Sequence, residues 1–387
     1  MTEPAEIGVY VHWPYCARIC PYCDFNVVRD RGDGAAQAAL ASAILADLTA
    51  QAEHVGRRRL ASIFFGGGTP SLMAPDAVAE VVAAARALFD AAPDLEVTLE
   101  ANPTDAEAGR FASLAAAGVN RLSLGVQSLD DAALTFLGRN HDAAEARRAA
   151  ETAGRAFARL SIDLIYARPG QSVAAWRAEL AEALALGPEH VSAYQLTLEP
   201  GTPFDRAVAR RRWAPPGDDL AAGLFETTQD VLGAAGFEAY EVSNHARGAA
   251  ARSRHNLIYW RGGDYLGVGP GAHGRLTGPD GGRWATLTPA RIADYVAQVE
   301  ASGCGLAERT RLTDREAAQE RLLMGLRTVE GVARAELAAL ALDPSVIGAL
   351  VEAGLLATAD ERLVATPDGR RVLDRVVLEL ANGAGAG

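Results

Sequence analysis

Cys16, Cys20 and Cys23 are three of the four cysteines in a chain of 387 residues, and they fall within eight positions. A disulfide would consume two of these thiols, and a structural zinc ion usually takes four nitrogen or sulfur ligands. Three thiolates at the spacing C-x3-C-x2-C suit a cubane iron–sulfur cluster that keeps one iron without a protein ligand. The zinc reading needs a fourth ligand, and His12 is its candidate. Pro14 and Pro21 stiffen the stretch, which presents its sulfurs from a loop and not from a helix. The fourth cysteine, Cys304, stands alone in SGCGLAE and reads as an incidental thiol, not as a ligand.

Other polar residues gather where short apolar runs end. The runs at 7–13, 60–65, 95–100, 121–127, 159–166 and 190–198 alternate with alanine-rich stretches near 35–53, 75–89, 105–117, 130–156 and 172–186. This rhythm predicts βα units with parallel strands, hence an α/β fold. Six units predict an incomplete (β/α)6 TIM-like barrel, and no strand is followed at once by G-x-G-x-x-G. At the strand ends stand Tyr10 and His12, the glycines Gly66, Gly67 and Gly68, then Glu100, Gln127, Asp163, Tyr194 and Gln195. The carboxyl ends of barrel strands open onto one mouth, so these residues are expected to share a site.

Composition narrows the functions open to the chain. The net charge of −12 argues against general nucleic-acid binding. Every basic residue is arginine; with no lysine in the chain, Schiff-base lysine chemistry is excluded. No apolar run reaches the roughly 18 residues of a membrane span. The first residues lack a basic region and a small-residue cleavage site, so a signal peptide is not expected. Clustered thiols without an export signal predict reduced cysteines in the cytoplasm.

The texture changes after 305. LTDREAAQERLLMGL opens with Thr313 and Glu316 as a capping box. Two short helices, a two-stranded wing and a closing helix are expected to follow, a small winged-helix-like domain over 305–380. Its candidate recognition helix, DPSVIGALVEAG, has no arginine and carries Asp343 and Glu352, which points to packing or a protein partner and away from DNA. Residues 381–387 read as a disordered tail, leaving 1–304 as the barrel domain.

The cysteine spacing after a first strand, followed by FFGGGTPS, resembles the radical S-adenosylmethionine (AdoMet) superfamily. In order, YVHWPYCARICPYCDF, GGGTPS, LEANP, GVNRLSLGVQSL, LGRNH, SIDLIYARPGQ, AYQLTLEPGTPF, YEVSNHA and HNLIYWRGGDYLGVGPGAH are similar to the oxygen-independent coproporphyrinogen III oxidase group. The resemblance spans nearly the whole chain. It implies a 4Fe–4S cluster on Cys16, Cys20 and Cys23, with AdoMet chelating the open iron. It also implies an AdoMet pocket of Tyr10, Tyr22, Gly67, Gly68, Thr69, Glu100, Gln127, Arg139 and Asp163. Carboxylates can accept from ammonium or ribose hydroxyls there, and Arg139 can pair with a carboxylate.

Two features sort the chain within that group. The oxidases carry a further cysteine two residues after the third ligand, where this chain has Phe25. HNLIYW, from His255 to Trp260, looks like the H-N-x-x-Y-W motif of the haem chaperone (HemW-type) branch. The resemblance therefore implies a protein that binds haem and passes it to an acceptor protein, with radical oxidative decarboxylation or methyl transfer as the alternative. Imidazole is a common axial haem ligand, which makes His255 the haem candidate, with His245 and His273 as competitors. One departure stands out: Ala167 and Arg168 replace the family's Gly-Leu after the fifth strand, placing a tighter turn and a cation close to Asp163 in sequence.

Overall fold

A computed structural model describes residues 5–383. The six expected strands form in order: β1 (Glu6–Trp13), β2 (Arg59–Gly67), β3 (Asp90–Ala101), β4 (Arg121–Gln127), β5 (Arg159–Tyr166) and β6 (His190–Gln195). Each pairs in parallel with the next. One face of each strand is apolar and packs on helices. Leu122, Leu124 and Val126 of β4 are fully buried, as are Leu40, Ile44 and Leu48 of the helix α1 (Gly34–Val55). Each such side chain stabilises the fold by about 1.5–3 kcal/mol relative to exposure.

The sheet continues past both ends of this series. Beyond β6 lie two short antiparallel strands, β7 (Glu238–Ala239) and β8 (Asn244–Ala246), with β8 next to β6. Beyond β1 comes β9 (Asp264–Val268), also parallel to it, followed by an antiparallel meander of β10 (His273–Thr277), β11 (Arg283–Leu287) and β12 (Glu308–Arg311). The order is β12-β11-β10-β9-β1-β2-β3-β4-β5-β6-β8-β7, and the two edges do not pair, so the barrel is open. Asp47 ties α1 to the meander side: its carboxylate accepts from Tyr295 Oη at 2.8 Å and from the Gly305 N–H at 2.7 Å.

Two expected helices are broken. The stretch 105–117 becomes Asp105–Ala108 and Phe111–Ala116, and 130–156 becomes Asp131–Phe136 and Ala143–Ala156. The second break holds Gly138 at φ +69°, where a Cβ would stand 2.6 Å from Pro21 Cδ. Only glycine tolerates both the left-handed backbone and this approach.

The C-terminal residues have their own apolar cluster, in which Leu322, Leu326, Val332, Leu363 and Val376 are at most 1% exposed. The helix Asp314–Gly325 begins with the Thr313–Glu316 capping box, and a third short strand, Val332–Ala333, joins the wing strands Leu356–Ala359 and Arg362–Ala365. The tail expected from 381 begins inside the last helix, Leu373–Asn382, and residues 384–387 lie outside the described residues. Among the described residues, no helix is long and apolar enough to cross a membrane.

Candidate functional site

The cysteine loop leaves β1 and is held from several sides. Tyr15–Cys16 pairs in parallel with Val28–Arg29, and the Cys23 N–H turns back to the Cys20 carbonyl at 3.2 Å. Asn26 donates to the carbonyls of Pro270 at 2.9 Å and Ala290 at 2.8 Å, fastening the loop to the meander. His12 donates from Nε2 to the Asn26 carbonyl at 2.8 Å, so its Nδ1 is the acceptor for the Tyr10 hydroxyl at 3.0 Å. Burial holds the His12 pKa below its ordinary value. With both ring nitrogens engaged, His12 has no lone pair to offer, and the fourth zinc ligand considered from sequence is lost. No three His, Cys, Asp or Glu side chains among the described residues group around a single-ion position.

All three thiols are free and line one cavity of about 440 Å³ at the carboxyl ends of the strands. Burial pushes the Cys16 thiol up to about 11. Tyr22, Gly67, Gly68, Thr69, Glu100, Gln127, Arg139 and Asp163 line the same cavity. Tyr10 does not; it lies half-buried behind the wall, stacked on Phe64 at 6.3 Å. Gly68 is a close approach: a Cβ would meet the Tyr15 carbonyl oxygen at 2.6 Å and the Pro14 backbone at 2.8 Å.

The helix break after Phe136 delivers Arg139. Its guanidinium donates to Cys20 Sγ at 3.3 Å, to the Gly125 carbonyl at 3.0 Å and to Asn102 Oδ1. Opposite it stands an acidic pair. Burial, reinforced by the charge of Asp163, pushes Glu100 up to about 8. Burial also raises Asp163, against the pull of hydrogen bonds from Ser192 and Ser123; Ser123 Oγ donates to Asp163 Oδ2 at 3.0 Å. Gln127 Oε1 and Arg139 Nε are buried without hydrogen-bond partners among the described residues. Through Glu100, Gln127, Arg139 and Asp163 the cavity wall carries the few convergent polar groups of a polar ligand's site. Free thiols on a fixed loop, a glycine cradle and this mix of acid, amide and guanidinium fit a cluster with a zwitterionic ligand beside it.

Comparison with known proteins places this geometry. Residues 10–183 match the Radical SAM superfamily, and residues 312–372 match the HemN C-terminal domain. The chain is 36% identical over 376 residues to the heme chaperone HemW of Mycobacterium tuberculosis, covering 96% of this chain and 94% of that one. It belongs to the radical SAM superfamily, in its HemN-like haem chaperone group. The Escherichia coli heme chaperone HemW is 41% identical over 73% of each chain. Radical S-adenosyl methionine domain-containing protein 1, mitochondrial, of Bos taurus is 44% identical over 84% of this chain and 74% of its own. The solved structure of E. coli coproporphyrinogen III oxidase (HemN) shares the fold, with a TM-score of 0.79 over 98% of this chain and 90% of that one at 21% identity.

In this radical SAM chain Arg168 lies elsewhere than its sequence neighbourhood suggested. Arg168 turns away from Asp163 and is buried against Glu179, Ser128 and Gln171. Cys304 is off the cavity, its thiol 3.7 Å from Asp47 Oδ1. His255 is 1% exposed and does not line the cavity: Nδ1 lies 2.9 Å from Ser62 Oγ and Nε2 lies 2.8 Å from Tyr259 Oη. Burial takes its pKa down to about 3. His245 is equally buried, whereas His273 is exposed at the start of β10. Asn102, Arg121, Ser123, His190 and Ser192 were not singled out, yet all line the cavity. Strand alternation carries the missed signal, since Arg121, Ser123, Gly125 and Gln127 point one way at every second position.

Proposed function

We propose that this protein is a haem chaperone that binds haem and delivers it to an acceptor protein, with a 4Fe–4S cluster and exchangeable AdoMet in the strand-end cavity. The observation that carries the reading is the sharing of one cavity by three free thiols and the buried carboxyl groups of Glu100 and Asp163, in a chain 36% identical to a named heme chaperone over nearly its whole length. Cys16, Cys20 and Cys23 would hold the cluster, whose chemistry when reduced is to donate an electron to bound AdoMet. Glu100 and Asp163 would accept from the cationic and hydroxyl groups of AdoMet, Gln127 would add its unused amide oxygen, and Arg139 would balance charge beside Cys20. The cytoplasm, where thiols stay reduced, suits such a site.

The second reading is oxidative decarboxylation of coproporphyrinogen III. Against it stands Phe25, 61% exposed on the cavity rim where the oxidases place a further cysteine. Anaerobically reconstituted protein should contain about four irons per chain, as a 4Fe–4S cluster requires. It should give a saturating Soret shift with equimolar haem and form no protoporphyrinogen from coproporphyrinogen III with reductant and AdoMet. Turnover without haem binding would reverse the order of the two readings.

A further inference from the structure

A second cavity, of about 680 Å³, lies between the barrel and the C-terminal cluster. One wall is the end of the helix Arg254–Trp260 with β9, β10 and β11; the other is the helix Asp314–Gly325 and the 3-10 turn Arg334–Leu340. None of the cluster or AdoMet residues enters it. Its size is that of pockets which enclose drug-sized ligands. The HNLIYW helix borders both cavities: Asn256 lines the first, and Tyr259 and Trp260 line the second.

The lining suits a flat, largely apolar ring. Tyr259, Trp260 and Tyr265 are all half-buried, and the two tyrosine rings lie 4.2 Å apart. The facing wall offers Met324 and the exposed alanines Ala335, Ala338 and Ala339, small side chains that leave the cleft open. Each wall also carries an atom able to bind haem iron, the Tyr265 hydroxyl and the Met324 thioether, and neither has a hydrogen-bond partner among the described residues. Arg275, Arg283 and Arg321 face the cleft, against Asp314, Glu320 and Glu336. Arg275 is held by Glu320 at 2.8 Å and Arg321 by Glu336 at 2.7 Å, so each is already fixed in place with further N–H groups left. With charges balanced, the cleft is no deep anion trap; carboxylates of a ligand belong at its arginine edge, with the ring inside.

Resting on the haem-binding reading above, we propose that this cleft, and not the strand-end cavity, holds the haem, with the macrocycle between Tyr259, Trp260 and Tyr265 on one side and Met324 on the other. His255 is then a positioning residue that acts through its hydrogen bond to Tyr259, not an iron ligand. The first cavity, lined by polar strand ends, is left to the cluster and AdoMet.

The test is haem titration of full-length, cluster-loaded wild type beside Ala338→Trp and Ala335→Trp, which fill the cleft from exposed positions. Iron content and melting temperature report that each variant is folded. At least tenfold weaker haem binding in the filled variants, with cluster iron unchanged, is the expected result. Wild-type affinity in both filled variants would overturn the cleft while leaving haem binding itself intact. Failure of wild type to bind haem would overturn both readings. His255→Ala separates positioning from ligation: weaker binding with an unaltered Soret position supports positioning, and a shifted Soret band assigns the iron to His255 and overturns the proposal.

Discussion

Arg168 and Glu179 form an ion pair in which each side chain is less than a tenth exposed, with Nη1 3.2 Å from Oε1. Glu179 also accepts the Leu129 N–H at 2.9 Å, joining the turn after β5 to the turn after β4. Removing one partner leaves the other charge buried and unpaired. Arg168→Leu should therefore cost about 3 kcal/mol in urea unfolding, with AdoMet affinity preserved. A loss of AdoMet binding at full stability would place Arg168 in the pocket after all.

Ala167, beside it, sits at φ +60°, the left-handed region where a Cβ is strained. The turn is held in that conformation with alanine in a position suited to glycine. Ala167→Gly should raise stability by about 1 kcal/mol, set against the entropy glycine adds to the unfolded chain. A lower melting temperature in the variant would show that the entropy loss exceeds the relief of strain.

Glu100 has a folded-state pKa of about 8 against an ordinary value of 4.5. The folded chain keeps a proton that the unfolded chain releases above about 4.5. Stability from this group is complete below that pH and falls as pH rises to about 8. In cluster-free protein the difference between wild type and Glu100→Gln should shift with pH across this window, toward the variant, by about 1 kcal/mol per unit. A pH-independent difference between the two melts would mean that Glu100 is ionised in the folded chain throughout.

Each of Cys16→Ala, Cys20→Ala and Cys23→Ala should abolish the reconstituted cluster, measured as bound iron and the broad absorption near ~400 nm. Cys304→Ala should keep full iron content and lose only the thiol contact to Asp47, a change within about 1 kcal/mol. Iron retained by any of the three loop variants would reassign the ligand set.

The parallel series was legible because its apolar runs alternate with alanine-rich stretches; β4 and β5 begin and end where the apolar runs do. The edges were not. β7 and β8 have two and three residues, and β9 to β12 lie in a glycine-rich stretch with no clear period, so pairing partners and not local pattern decide them. The break at Leu137–Asp142 was also hidden, since alanine-rich sequence on both sides favours one helix. The first helix ends in a glycine turn: Gly138 takes φ +69°, its N–H returns to the Thr135 carbonyl at 3.1 Å and the Arg139 N–H to the Leu134 carbonyl at 2.9 Å, which leaves the Arg139 side chain at the cysteines. Arg168 misled for the related reason that nearness in sequence to Asp163 says nothing about which way a side chain leaves a turn.

The helix Arg254–Trp260 is only seven residues long, yet it presents Asn256 to one cavity and Tyr259 and Trp260 to the other. A shift of so short a segment would be felt in both cavities. If a ligand in the strand-end cavity alters affinity in the cleft by some factor through this helix, cleft occupancy must alter affinity for that ligand by the same factor. AdoMet would then act as an effector of cargo binding, and a loaded cleft would register as a changed AdoMet dissociation constant, with no bond in AdoMet broken.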